Sequence, residues 1–485
     1  MKKSLLKILP LMAAIMFATS CSKDDDTSVE KQNIDNQNTI ESPDDVVSIP
    51  FSIKVNTGKS LTKSLSYDQS FINFVGVDQK MIISCLSNGY SDVSGELGLA
   101  KDGEWYYFSG DILCNKAHVD ALTNGDITLT GTYGTALSKP ASSNVSLDEL
   151  RQNCAHQYKT EFTFKSENIF LTDQNAYLEI TMSPLQRVLE VNGEKCTLDK
   201  TSGNVWVAVP SNKALSVGSF LSKDAEDVLP GKIFTINRAN CVDLGSQYSW
   251  RKSVLWVDHN IGASTPDGYG DYYAWGETEP YYSSLNPLIW KKNGGYYNWY
   301  TYKYAIDDQV SITKYCEVSD FGYNGFEDNL TELGKYKINE NEEPIDDDVA
   351  HVTNDQWSMP DYEELYFLQS ECYWVWVDNY NESGKSGYIV YKNQGSEGGS
   401  VVYSGGTVVS GYSINDTPHI FLPIAGYFDD EDFTSTSGCY WSSSNYRSSP
   451  SNSYCLILSA NNVNYNNRHR YYGYSVRAVR RSNNN

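Results

Sequence analysis

The sequence predicts a mainly-β protein with some α: a β-sandwich over residues 46–238, then an irregular α+β domain over residues 241–481. Three observations carry this expectation. Short stretches before residue 238 alternate apolar and polar side chains with period two, as half-buried strands do. Turn residues punctuate them at short spacing. Beyond residue 241 the chain becomes rich in Gly, Asn, Ser and Tyr, with isolated tryptophans that would pin a loop-dominated domain.

The first segment, residues 1–20, has the pattern of an export leader. Lys2, Lys3 and Lys7 form a basic head, Leu5 to Phe17 is mostly apolar, and Ala18-Thr19-Ser20 are small residues ahead of Cys21. The apolar run of about 13 residues is shorter than the roughly 20 a helix needs to span a bilayer. These features predict a lipoprotein signal peptide, with Cys21 as the acylated residue and the membrane as a partner through that lipid. Residues 21–45 are rich in Asp, Asn, Ser and Thr and poor in apolar side chains, so they predict a flexible acidic tether. Ser22-Lys23-Asp24-Asp25-Asp26 resembles the start of Bacteroidetes lipoproteins, in which an acidic run after the lipidated cysteine favours display on the outer surface. The resemblance implies an outer-membrane, lipid-anchored protein facing the cell exterior.

Within residues 46–238, Leu178, Ile180 and Met182 alternate with Glu179 and Thr181. Ile127 and Leu129 alternate with Thr128 and Thr130, and Phe162 and Phe164 with Glu161 and Thr163. Asn192-Gly193 separates Val188–Val191 from Cys196–Leu198 and predicts a two-residue hairpin. Ser146 and Glu149 form a capping-box pair for one short helix. The segment resembles the fimbrillin-like domains of Bacteroidetes surface lipoproteins at Lys63-Ser64, Phe108-Ser109-Gly110, Gly125–Leu129 and Gly231–Ile236. That resemblance implies pilus subunits or pilus-like adhesins.

The second half carries an ordered set of motifs. Asp243-Leu244-Gly245 leads to Trp256, Asn260-Ile261-Gly262-Ala263 and Gly270-Asp271-Tyr272-Tyr273-Ala274-Trp275-Gly276-Glu277. Trp357-Ser358-Met359-Pro360, Glu363-Glu364-Leu365, Phe421–Tyr427, Tyr440-Trp441-Ser442-Ser443-Ser444 and Tyr472–Arg477 follow. In that order they resemble the Fibrobacter succinogenes major paralogous domain, which implies a fold related to C-type lectins and the formylglycine-generating enzyme. Ser358 stands where that family usually has Arg, and Asp361 where it has Thr. Residues 294–348 are also long and acidic, which puts loop details in question. Pro360–Leu365 predicts a helix start with Asp361 as cap and Glu364 answering it, and with Tyr362, Leu365 and Leu368 on one face. Trp256, Trp275, Trp357 and Trp441 are expected to pack in the core.

Composition narrows the chemistry. The chain has 485 residues, 13% of them aromatic with 37 Tyr, enough for sizeable cores. A formal charge of −23 opposes binding to nucleic acid. Nine cysteines besides Cys21 are scattered with no C-x-x-C pair, so no zinc or thioredoxin-like motif is present, although one or two disulfides are compatible with export. H-E-x-x-H, G-x-S-x-G and G-x-G-x-x-G are absent, and Gly58-Lys59-Ser60 and Gly384-Lys385-Ser386 lack the partner glycine of a phosphate loop. His118, His156, His259, His351, His419 and His469 read as isolated residues rather than ligands. No cofactor is required, although calcium has two candidate clusters: Glu340, Glu342, Glu343, Asp346, Asp347 and Asp348, and Asp429, Asp430, Glu431 and Asp432. Cys439 and Cys455 are the only candidates for an oxidase like the formylglycine-generating enzyme, and nothing around them activates a thiolate.

Non-enzymatic binding is the expectation that remains. Between Ser442 and Tyr474 the chain concentrates residues typical of antibody paratopes. Asn445, Tyr446, Arg447, Asn464, Tyr465, Asn467 and Arg468 are the candidate ligand-binding residues. Their partner would be a glycan or a surface protein; the alternative role is a pilus subunit or tip component, with pilus subunits as partners.

Overall fold

The computed structural model describes residues 45–56, 80–103, 105–245, 254–280, 282–283, 289–292, 295–296, 298–316, 318–322, 337–338, 344–345, 347–430 and 432–481. The leader, Cys21, the tether as far as residue 44, Gly58-Lys59-Ser60 and Lys63-Ser64 lie outside the described residues. The fold is mainly β, with 44% strand and 11% helix in several sheets.

The alternation read from the sequence becomes the inside and outside of these sheets. The first sheet has eight strands in the order Asn168–Ile169, Val46–Val55, Trp105–Asn115, Ser94–Asp102, Lys80–Cys85, Leu129–Gly134, Gln157–Phe162 and Thr172–Asp173. Phe51, Ile53, Met81, Ile83, Leu97, Phe108 and Leu129 supply its core, closed by Leu122 from helix α1 (Val119–Asn124).

Two four-stranded sheets follow and share a second core. One runs Ile233–Arg238, Asn175–Met182, Asn204–Pro210, Ala141–Ser143; the other runs Glu194–Thr197, Val188–Val191, Leu215–Val217, Leu221–Lys223. Leu178, Ile180 and Val207 of the first meet Leu189, Val191 and Val217 of the second. The hairpin forms at Asn192-Gly193, where both residues take positive φ (49° and 79°), as a two-residue turn between twisted strands requires. Helix α2 (Leu147–Asn153) starts where Ser146 accepts from the Glu149 amide at 3.1 Å, and its Leu150 covers Tyr177 and Ala208 on the outer face.

After residue 241 strands are shorter and separated by loops. Val254–Asn260 pairs with both Cys241–Asp243 and Arg477–Arg481, so the two ends of this half meet in one sheet. Tryptophans hold the loops by donating indole N–H groups to distant carbonyls. Trp275 donates to Ser442 at 2.8 Å and Trp441 to Tyr273 at 2.9 Å. Trp256, Trp275 and Trp441 are fully buried; Trp357 is half-buried and lies edge-on to His259. Arg477 is buried as well, and its guanidinium donates twice to Asn260, fixing the glycine-rich turn that follows. All nine cysteines among the described residues are free.

The last sheet, Gly438–Asn445, Asn452–Ser459 and Asn462–His469, is antiparallel throughout. Helix α3 (Val349–Thr353) is capped by Asp348, and helix α4 (Tyr362–Glu371) packs across this sheet. Asp361 and Glu364 form the expected capping box. The expected helix face is corrected in one respect. Leu365 and Leu368 are buried, but Tyr362 is 37% exposed and Tyr366 44%. Positions four apart lie nearly above one another on a helix, so Tyr362 shares its face with Tyr366.

Candidate functional site

Helix α4 and the last sheet bring five tyrosines together. Tyr362 stacks over Tyr366 with ring centroids 6.4 Å apart. Tyr454 lies 4.6 Å from Tyr362 at a tilt, and Tyr465 meets Tyr362 edge-on at 4.7 Å. Tyr446 approaches Tyr454 edge-on at 5.3 Å. These are the offset and edge geometries that ring quadrupoles favour. The cluster is fixed by polar contacts as well: the Tyr465 hydroxyl donates to the Tyr362 carbonyl at 3.1 Å, and the Tyr362 amide donates to Ser444 Oγ at 3.0 Å. Asn467 stands on the same side, with its Oδ1 accepting from Asn452 Nδ2 at 2.8 Å. Burial drives the Tyr465 hydroxyl far above its ordinary range, so it remains a neutral donor.

The seven residues singled out from the sequence therefore separate. Tyr446, Tyr465 and Asn467 join the tyrosine cluster. Asn464 is exposed and Arg468 half-buried, and both alternate to the opposite face of their strand. Asn445 is only 5% exposed and donates to the Tyr315 carbonyl at 3.2 Å, at the end of a strand, Gly438–Asn445, that is buried on both faces. Arg447 lies exposed on the turn that follows. Tyr362, Tyr366 and Tyr454 were missing from the set. The four-residue spacing of Tyr362 and Tyr366 was the available pointer to an aromatic face.

In the first acidic cluster, the two described residues are paired with protein groups. Asp347 is buried and accepts from Tyr304 at 2.6 Å, Tyr315 at 2.7 Å and the Lys314 ammonium. Burial alone would raise its pKa, but Lys314 and the two hydroxyls together hold it below the usual value. Asp348 spends one oxygen capping α3 and also receives the Met359 amide at 2.9 Å. Asp429 and Asp432 face each other across a hairpin, where burial and their mutual repulsion raise Asp429. Glu340, Glu342, Glu343, Asp346 and Glu431 lie outside the described residues. Among the described residues, no three His, Cys, Asp or Glu side chains converge as metal ligands would.

Cys439 and Cys455 are both buried against Trp441 and Tyr474 in the core. Burial pushes the Cys439 thiol up to about 12 and Cys455 well above its ordinary value, which is opposite to thiolate activation. Comparison with protein-family models, with curated proteins and with solved structures returned no match.

Proposed function

We propose that the chain is a non-enzymatic, lipid-anchored surface protein that binds a glycan or protein ligand through the tyrosine cluster of its C-terminal half. Cys21 would carry the lipid, and residues 22–45 would be the tether. The facing sheets of residues 141–238 support a sandwich reading for the first half. The short sheets stapled by tryptophans support the lectin-like reading for the second. The observation that carries the proposal is the cluster itself. Tyr362 and Tyr366 keep large exposed faces while a capped helix and Tyr454 and Tyr465 hold them in place. Tyrosine gives rigid, amphipathic contact area at low entropic cost, which suits the apolar face of a sugar ring or a protein loop. Many copies on one membrane would turn weak contacts into adhesion.

A glycan and surface-protein array probed with the purified chain, with and without calcium, tests the proposal. Saturable binding by a monomer supports it. Laddering of the purified chain into stable polymers favours the pilus reading, and a cysteine-dependent oxidase activity without ligand binding removes both. Labelling with a palmitate analogue in cells should require Cys21; equal labelling of Cys21→Ser would remove the anchor.

A further inference from the structure

The loop after α2 and the strand Thr172–Asp173 bring together a cysteine, a histidine and an aspartate that belong to no part of the tyrosine cluster. The Cys154 thiol sulfur lies 3.3 Å from His156 Nε2. His156 Nδ1 lies 3.1 Å from Asp173 Oδ2, and Asp173 also accepts from the Tyr177 hydroxyl and from the Asn175 amide at 3.1 Å. His156 and Asp173 are buried, while Cys154 is half-buried and free.

The hydrogen bonds assign the protons. His156 Nε2 faces the Arg151 carbonyl at 2.7 Å, so that nitrogen carries a proton. Nδ1 lies 3.1 Å from Asp173 Oδ2 and 3.3 Å from Asn175 Nδ2; that amide already donates to the Ala155 carbonyl at 3.0 Å, and the nearer carboxylate oxygen accepts from the ring, so Nδ1 carries a proton too. The ring is therefore an imidazolium seated at the C-terminal end of α2, where a cation is favoured. Burial by itself would lower the histidine, but Asp173 and then Cys154 outweigh it and hold it up at about 10. Around the ring, Tyr158 stacks on it at 5.6 Å, and the Arg151 guanidinium lies over the Tyr177 ring at 4.8 Å.

We propose that Cys154 is a thiolate site, paired with His156 and oriented through Asp173, that takes small disulfides by thiol–disulfide exchange. The Cys154 sulfur attacks one sulfur of a disulfide R–S–S–R, a bond forms between Cys154 and S–R, the S–S bond breaks, and R–S⁻ leaves and takes a proton from solvent. The co-reactant is the disulfide, and its half-buried target restricts it to a small one. His156 keeps its proton throughout and stabilises the thiolate before attack.

The test treats the folded full chain with bis(2-hydroxyethyl) disulfide at a series of pH values and reads each cysteine by peptide mass spectrometry. Cys85, half-buried but without a histidine partner, is the internal reference. An ordinary thiol loses about tenfold in rate for each pH unit below its pKa of roughly 8.5. The proposal expects Cys154 to stay nearly flat to pH 6 and to exceed Cys85 there by at least about tenfold. His156→Gln should bring it down to the slope of Cys85, and Asp173→Asn should move it part of the way. A Cys154 rate that falls in parallel with Cys85, or no adduct at Cys154, overturns the proposal. Because the pH profile is measured on the unaltered chain, it decides the matter even where a variant fails to fold.

Discussion

Replacing Glu364 by Ala should destabilise the C-terminal half severely, because one carboxylate performs two tasks. Its Oε1 receives Arg481 Nε at 3.0 Å and its Oε2 receives Nη2 at 2.6 Å, a two-point pair in which Glu364 is 1% exposed. Oε2 also receives the Asp361 amide at 2.8 Å to complete the capping box of α4. Removing one partner of a buried ion pair costs about 3–5 kcal/mol, since the other charge is left without compensation. Losing the cap adds roughly 1 kcal/mol. Arg481 retains Ser358 and the Met359 carbonyl, which offsets part of this, so a net cost of about 3–5 kcal/mol is expected. Urea unfolding followed by tryptophan fluorescence measures it. With a slope of about 2–3 kcal/mol per molar, the midpoint should fall by more than about 1 M. Glu364→Leu combined with Arg481→Met should cost less than the sum of the single changes by about 2 kcal/mol. A loss below about 1 kcal/mol for Glu364→Ala, or strict additivity in the double variant, would show that the pair is not what ties α4 to the strand Arg477–Arg481.

Two further outcomes follow from the same geometry. Gly270 has φ +71°, and a Cβ there would lie 2.3 Å from the Ile261 carbonyl oxygen, so Gly270→Ala should cost about 1–3 kcal/mol from the backbone alone and more from the clash. An unchanged thermal midpoint would contradict this. His419 is fully buried, donating from Nδ1 to the Thr417 carbonyl at 2.9 Å and accepting at Nε2 from Tyr380 at 3.2 Å. Burial lowers it to about 4 from 6.5; the Thr417 carbonyl opposes this and Arg187 adds to it. Between those values the unfolded chain holds the extra proton. Stability is therefore intact above pH 6.5 and falls as the pH drops towards 4, by roughly 3 kcal/mol in all. Urea midpoints taken across that window should show this slope, and His419→Gln should flatten it; an already flat wild-type profile would refute the assignment.

What the sequence disclosed follows from the range of the interactions involved. Local rules held at Asn192-Gly193 and at the Asp361–Glu364 capping box, and at α2 for the Ser146 arm of the expected box, because turns and caps are decided by residues within four positions. Alternation at Leu178, Ile180 and Met182 likewise reports burial directly, since the pleat sends them to one face. The site was only partly legible. A list of polar and aromatic residues between Ser442 and Tyr474 contains no information on which strand face each occupies. Tyr465 and Arg468 consequently appeared together, although their strand turns them apart. Asn445 ends a strand buried along its whole length, and the carbonyl that receives it belongs to Tyr315, far away in sequence. The pairing of Cys154 with His156 was adjacent in sequence, but its meaning depended on Asp173, which arrives from a strand beyond an intervening hairpin segment.

The central claim is that the tyrosine cluster is the binding surface, and comparing the purified chain with Tyr362→Ala/Tyr454→Ala on the glycan and surface-protein array tests it most directly. Aromatic contacts worth about 0.5–1.5 kcal/mol each, beyond the area they bury, predict a loss of tenfold or more in affinity with the circular dichroism unchanged. Asn464→Ala/Arg468→Ala, on the other face of the sheet, should bind as the unaltered chain does. Undiminished binding by the tyrosine variant, or loss only in the Asn464 and Arg468 variant, would place the surface elsewhere.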